Sequence, residues 1–449
     1  MRNLHTQRGG ITVMVVISLT TLLAVVGLAF SAGLSYMVKA KLNAATDAAG
    51  LAAARAISNG ANQNEQIANA KAAGQRFFYA NFPSNYLMST ATLNDINVVF
   101  NTSEVTITVS ASATMPTALF GGFTSGPMSP GVLTETKRKD LDMVLVLDTS
   151  GSLSGSAANV RSSAQTFLGQ FNADRDRVGL LHFSYGAIVD DPIRQTARGF
   201  DRASMNSHIR NYSFTGSTAS PEGMWWARDQ INSVPTTNNN RSNLRVIVFF
   251  SDGAPNSFGT YLKWNNNDCG QPGTIATDDD GSGTPTGLYF LNRQSDDIGG
   301  NCTPADITKR ASALPDWYNG HNPPSTWNDP AAPREYPIVT SSPRVVTSDI
   351  TYRNVNRAAR NLVEAMAAKS RDEGIYVFTL GLGSALKTGT GADGEKGEDT
   401  LKCMANSTDA PARCFNAAKP VGVYCHAATQ ADLTPCFSKL ASAILRISK

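Results

Sequence analysis

Charge is what this 449-residue chain has least of: Asp, Glu, Lys and Arg make up 17% of it, against about 25% in ordinary domains. Lys plus Arg (39) nearly cancels Asp plus Glu (36), leaving a formal net charge of +3. A balance that close to zero lacks the basic excess that a nucleic-acid partner demands. CxxC pairs are absent, so the six cysteines do not have the spacing of a zinc site. There is no GxSxG elbow, HExxH pair or phosphate-binding P-loop, and Gly381-Leu382-Gly383 lacks the third glycine of a dinucleotide loop. The five histidines (His5, His182, His208, His321, His426) are scattered. A non-enzymatic protein with no small-molecule substrate is expected. What is present suffices for a core: 41% of residues are hydrophobic and 8% aromatic, in a chain long enough for two to four domains.

Between Gly9 and Val38 no residue is charged. Ile11 to Met37, ITVMVVISLTTLLAVVGLAFSAGLSYM, extends about 40 Å as a helix, more than the roughly 30 Å of bilayer hydrocarbon. A secretory signal has an apolar core of only about 7–15 residues. The reading is a transmembrane helix at 11–37, with 1–10 as a cytoplasmic N-terminus. Ala29-Phe30-Ser31 keeps cleavage of the segment open as an alternative. Arg2 and Arg8 before the span and Lys39 and Lys41 after it nearly tie the positive-inside rule. Cysteine usage decides: Cys269, Cys302, Cys403, Cys414, Cys425 and Cys436 all lie past the span, an even count that suits disulfides in an oxidising compartment. Residues 39–449 are therefore expected on the periplasmic or extracellular side.

Past Val38 the sequence KAKLNAATDAAGLAAARAI is alanine-rich, interrupted only by Gly50, and predicts a helical stalk over 38–60. Residues 61–138 read as a β-containing spacer, with strands at 96–100 and 105–109 joined by the turn 101–104. Arg8-Gly9-Gly10, the apolar span, and Leu42-Asn43-Ala44-Ala45-Thr46-Asp47-Ala48-Ala49 resemble the N-terminal region of TadE/TadG-like proteins, which assist assembly of bacterial Flp (Tad) pili. The resemblance implies a single-pass protein of the bacterial cytoplasmic (inner) membrane. The pattern departs from the family at Phe30-Ser31, where members often carry an Asp after the apolar span. Val15 stands where polymerising pilins keep a glutamate, which argues against a pilus subunit.

Met143-Val144-Leu145-Val146-Leu147 is an apolar run suited to a strand buried on both faces, and it ends at Asp148-Thr149-Ser150-Gly151-Ser152. A helical stretch from Ala157 to Phe171 follows. Further buried strands are predicted at 178–183, 244–250 and 375–380, with a helix from Arg353 to Glu373. Strands alternating with helices predict an α/β fold with a doubly wound, mostly parallel sheet, whose binding crevice lies at the carboxyl ends of the strands. Asp148 and Asp252 both sit at such ends. Two carboxylates with hydroxyls of Ser150 and Ser152 make an oxygen-only site suited to Mg²⁺ or Ca²⁺. With Thr218 in Gly216-Ser217-Thr218 and Asp252 in Ser251-Asp252-Gly253, the set resembles the Rossmann-like von Willebrand factor type A domain and its metal-ion-dependent adhesion site. The resemblance spans about 142–448, within a domain read as 139–449. It implies direct metal ligation by Ser150 and Ser152 and ligation by Thr218 directly or through water. Asp148 and Asp252 would hold metal-bound waters. It also implies Mg²⁺ (or Mn²⁺ or Ca²⁺) as cofactor and a partner protein that supplies a carboxylate to the metal.

An insert of about 254–349, rich in Gly, Pro, Asn and Asp, separates Asp252 from the next helix. It holds Trp264, Trp317, Trp327, Cys269 and Cys302, which predicts an ordered, disulfide-pinned elaboration. It leaves the sheet beside Asp252, so it is expected either to join the partner surface or cover the metal, or to be a decoration unconnected with binding. Asp278-Asp279-Asp280-Gly281-Ser282-Gly283 opens like a calcium loop, but its twelfth position is Tyr289 rather than Glu, and it reads as a polar turn. Six cysteines allow fifteen pairings, and the neighbour pairs 269–302, 403–414 and 425–436 are the expectation. An amphipathic helix from Gln430 to Leu445 ends in Leu445-Arg446-Ile447-Ser448, which also resembles TadG-like proteins. The functional expectation is a membrane-anchored component of Flp pilus assembly that engages an envelope or pilus protein through a metal. A surface-displayed metal-dependent adhesin is the alternative.

Overall fold

From Gly10 to Ala56 the chain is one unbroken helix, α1, whose character changes midway. Its first half is apolar on every side and largely exposed from Ile11 to Phe30, and it is long and apolar enough to cross a membrane. From Leu34 onward a single stripe is buried: Leu34, Val38, Leu42, Ala45, Ala49, Ala53. Steps of three and four residues mark one helix face. The computed structural model describes residues 10–57, 63–100, 104–116, 127–236, 241–265, 269, 271–277, 285–303, 307, 309–321 and 333–447. The chain divides between Arg138 and Lys139 into two compact units.

In the first unit the buried stripe of α1 packs with α2 (Gln63–Asn81) and a three-stranded sheet, β1 (Thr90–Phe100), β2 (Glu104–Thr114) and β3 (Gly131–Lys139). Alternate residues of β2 (Val105, Ile107, Val109, Ala111, Ala113) point into this core, the period-2 pattern of a half-buried strand. Gly50 does not break α1. A Cβ there would collide with the Thr136 hydroxyl, so glycine is what lets the helix lie against the sheet. The expected stalk is thus no free-standing helix but the spine of a small α/β unit. The spacer also holds a helix besides its strands, because α2 buries only a thin line (Gln66, Ala70, Ala73, Phe78) that leaves little periodic signal. The anticipated turn residues Asn101–Ser103 lie outside the described residues.

The second unit is built on β4 (Leu141–Asp148), β5 (Arg177–Phe183), β6 (Ala187–Asp191) and β7 (Leu244–Ser251), with α3 (Ala157–Leu168), α4 (Arg202–Asn211) and α5 (Ser220–Ser233) between them. The insert then contributes β8 (Ser257–Thr260), β9 (Lys263–Trp264), β10 (Gly273–Ala276), β11 (Gly287–Tyr289) and β12 (Ala311–Ala313). After α6 (Tyr352–Asp372) the chain returns to the sheet as β13 (Tyr376–Leu382). A hairpin of β14 (Gly389–Thr390) and β15 (Glu395–Lys396), α7 (Gly397–Ala405), β16 (Tyr424–Ala427) and α8 (Leu433–Ile447) complete it.

Six strands form the main sheet in the order β16-β13-β7-β4-β5-β6, parallel except for β6 at the edge. Alternation along β4 divides its side chains between two cores. Met143, Leu145 and Leu147 meet residues of α3 and α8, while Val144 and Val146 meet residues of α5 and α6. The chain leaves β4 towards β5 on one side and leaves β7 towards β13 on the other. That reversal opens a crevice outside the carboxyl ends of β4 and β7.

The described residues of the insert include five short strands. β8, β10 and β11 form a small sheet, and Phe258, Trp264, Leu288, Tyr318 and Tyr336 share the core of α5 and α6. Disulfides join Cys269 to Cys302, Cys403 to Cys414 and Cys425 to Cys436. The acidic turn 278–283 and Trp327 lie outside the described residues.

Candidate metal centre

Two buried aspartates stand on β4, one near each end, and their surroundings differ. Asp142 sits at the amino end with Arg177 at 3.4 Å and Arg198 at 3.3 Å. Asp148 ends the strand at the crevice and has no lysine or arginine partner among the described residues. Its Oδ1 accepts from the Ser150 backbone N–H at 2.8 Å, and its Oδ2 accepts from the Ser251 hydroxyl at 2.6 Å. Burial pushes its carboxyl up to about 6, against hydrogen bonds from the Ser150 and Ser251 hydroxyls and from the backbone at Ser150 and Asp252. A buried carboxylate held by neutral donors alone is costly unless a cation joins it.

The loop after β4 carries the two serines. Ser150 Oγ lies 3.2 Å from Ser152 Oγ, and the Ser152 hydroxyl donates to Asp252 Oδ1 at 2.8 Å. Asp252 follows β7, so the neighbouring strands β4 and β7 each deliver one carboxylate. Thr218 arrives on the loop before α5. Gly216, with φ +85°, turns that loop where any Cβ would strike Ser184 and Tyr185. Its carbonyl accepts from Gly151 N at 3.1 Å, and Thr215 N donates to Thr149 O at 2.9 Å, which binds the two loops together. The Thr218 hydroxyl makes no hydrogen bond among the described residues. Asp148 at the end of β4 and the other four residues, on the loops after β4, before α5 and after β7, thus lie at the same end of the sheet.

The donor set suits a hard divalent cation. Donors in adjacent positions of an octahedron with ligands about 2.05 Å from the ion lie about 2.9 Å apart. The Ser150 and Ser152 hydroxyl oxygens lie 3.2 Å apart, and the Ser152 hydroxyl donates to Asp252 at 2.8 Å. Among the described residues no group of three or more His, Cys, Asp and Glu is arranged to hold a metal ion. This cluster has two carboxylates and relies on hydroxyls for the rest, a set that favours Mg²⁺-like ions over softer metals. Sequence reasoning missed several residues whose hydrogen bonds fix these loops. Ser251 was legible, since it ends β7 beside Asp252. Thr149, Asn256 and Gln294 gave no local signal.

Residues 142–269 match the profile of the von Willebrand factor type A domain, and residues 9–56 match that of the Flp pilus-assembly TadE/G-like family. Residues 142–269 form a von Willebrand factor type A domain. The chain as a whole joins that domain to a TadE/G-like N-terminal region containing one helix fit to span a membrane. Among solved structures it is similar to the von Willebrand factor domain of the type V pili tip protein Mfa5 from Porphyromonas gingivalis. That match has 15% identity and a TM-score of 0.37, over 70% of this chain and 97% of the other. The pilus adhesin SpaC from Lactobacillus rhamnosus GG matches at 13% identity and TM-score 0.38, over 80% of this chain and 34% of SpaC. Proximal thread matrix protein 1 from the mussel byssus, solved with zinc in its metal-ion-dependent adhesion site, matches at 10% identity and TM-score 0.33, over 67% and 47%. No curated protein matches the chain.

Proposed function

We propose that this protein is a single-pass, non-enzymatic component of Flp/Tad-type pilus assembly, held in the bacterial inner membrane by residues 11–37. Its bulk lies on the outer side of that membrane. In this reading Ser150 and Ser152 ligate a divalent metal, Mg²⁺ by donor chemistry, and Thr218 ligates it directly or through water. Asp148 and Asp252 hold the metal's waters, and a partner protein from the pilus or envelope docks on it through a carboxylate. When bound, the ion supplies a fixed positive charge with an open position for that carboxylate. The chain's own residues do the rest: Asp148 brings a buried negative charge, and Ser150 and Ser152 turn their hydroxyls to the same point. Gly216 leaves room for the Thr218 loop. The observation that carries the reading is this convergence of oxygen donors at the β4/β7 crevice, in a chain whose N-terminal region is TadE/G-like.

Calorimetry on the full-length protein in detergent should show Mg²⁺ or Mn²⁺ binding that Asp148→Ala abolishes. Equal binding by the variant would overturn the site. Fractionation with a C-terminal tag should recover the chain in the inner membrane. Release to the medium or onto pili would instead favour a displayed metal-dependent adhesin.

A further inference from the structure

We propose that the insert is a clamp that sets the geometry of the metal loops, with Asn256 and Gln294 as its positioning residues. The proposal rests on the metal reading above and adds a role for residues that lie outside the five-residue set. It differs from the sequence expectation, in which the insert joins the partner surface or covers the metal.

The first grip is at the root of the insert. Asn256 is buried, and its Oδ1 accepts from the Thr218 backbone N–H at 2.9 Å and from the Ser217 hydroxyl. Its own N–H donates to Thr218 O at 3.3 Å. Thr218 is therefore held through both its backbone N–H and its carbonyl by one side chain and one amide. Asn256 is held in turn, because Thr277, just past β10, donates to its carbonyl from N at 3.1 Å and from Oγ1 at 2.9 Å.

The second grip is far along the insert. Gln294 Nε2 donates to Thr149 Oγ1 at 3.3 Å and to the Ser213 carbonyl, and its Oε1 accepts from the Ser213 hydroxyl at 2.6 Å. Thr149 lies between Asp148 and Ser150, and Ser213 starts the loop that leads to Thr218. One amide thus spans the two ligand-bearing loops. Backbone bonds seat it: Tyr185 N to Gln294 O at 3.2 Å, Gly186 N to Arg293 O at 3.1 Å, and Ala187 N to Leu291 O at 2.9 Å. The Tyr289 ring stacks on Tyr185 with centroids 3.5 Å apart. A decoration unconnected with the site would have no reason to place its polar side chains on both loops at once.

Groups that orient a metal's ligands typically contribute about 10–100-fold to its affinity. The test uses the full-length protein in detergent, with Mg²⁺ calorimetry and the Mn²⁺ paramagnetic resonance signal as readouts. Asn256→Ala and Gln294→Ala should each weaken binding about ten-fold or more, with near-UV circular dichroism preserved. Asn256→Asp keeps the acceptor and should bind at least as well as the parent, which a loss of general packing would not allow. Thr149→Val removes the other end of the Gln294 contact. It should weaken binding, and the double variant should be no weaker than the worse single one. Failure of the parent protein to bind either ion would sink the metal reading itself. A parent that binds, with Asn256→Ala and Gln294→Ala unchanged, overturns the clamp alone. Should Gln294→Ala lose its fold, unchanged affinity in Thr149→Val does the same.

Discussion

Glu222→Ala should cost about 4 kcal/mol of unfolding free energy, and Glu222→Gln only about 1. Glu222 lies in the first turn of α5 and is fully buried. Its carboxylate accepts from Gly259 N at 2.6 Å, the Tyr318 hydroxyl at 2.8 Å and His321 Nε2 at 2.6 Å, all three in the insert. Alanine leaves three buried donors without an acceptor, at about 1–3 kcal/mol each before relaxation. Repacking and entry of water recover part of that sum, which leaves about 4 kcal/mol. Glutamine keeps an acceptor for Gly259 and Tyr318 and loses only the contact with His321, hence the smaller figure. Trp225 stacks on His321 at 4.0 Å, and all five tryptophans lie in the second unit, so urea unfolding followed by tryptophan fluorescence reads the right region. A Glu222→Ala protein within 1 kcal/mol of the parent, or a Gln variant as damaged as the Ala one, would refute the reasoning.

The other two predictions concern protons and cross-links. The hydrogen bond from His208 Nδ1 to Asp191 at 2.7 Å raises the imidazole above 6.5. A raised base contributes stability that is complete below the unfolded value and is lost as pH rises through the folded one. Asp191→Asn should therefore lower the His208 titration seen by NMR and flatten the stability profile above pH 6.5; an unmoved titration would contradict it. Among the disulfides, chain entropy gives about 3 kcal/mol for the eleven-residue separation of Cys425–Cys436 and about 4 for the thirty-three of Cys269–Cys302. Paired Cys→Ser variants under non-reducing urea unfolding should show losses in that order, and a reversed order would count against loop closure as the source.

Strong periodicity made much of this fold legible. The run Met143–Leu147 is apolar without alternation because β4 is covered on both faces, and the same holds for β5 and β7, so all three stand out as strands. Edge elements did not stand out. β16 is four residues long and only alternately buried, and β6 is largely half-exposed, so neither carries a run of the kind that marks a central strand. The alanine-rich stretch after Val38 was legible as helix but not as core, because alanine serves equally on an exposed stalk and in a close helix–sheet contact. Gly50 decides between them, but only once Thr136 is known to lie across from it.

The site divides in the same way, and the division says what kind of information a binding centre needs. Asp148, Ser150 and Ser152 sit within five consecutive residues after a buried strand, so their chemistry can be read locally. Asp252 can be read too, because it directly follows a second such strand. Topology supplies what the local pattern cannot, that β4 and β7 are neighbours at the point where the chain reverses direction across the sheet. Asn256 and Gln294 are invisible even to that step, since their partners are separated from them by 38 and 145 residues and an amide has no distinctive local context. Comparing Asp142 with Asp148 makes the last point. Both are buried aspartates on one strand, and only their surroundings tell them apart: two arginines close the first, while serine hydroxyls and backbone N–H groups hold the second. A carboxylate already neutralised by arginine is finished as structure. One buried among neutral donors still has a charge to be met.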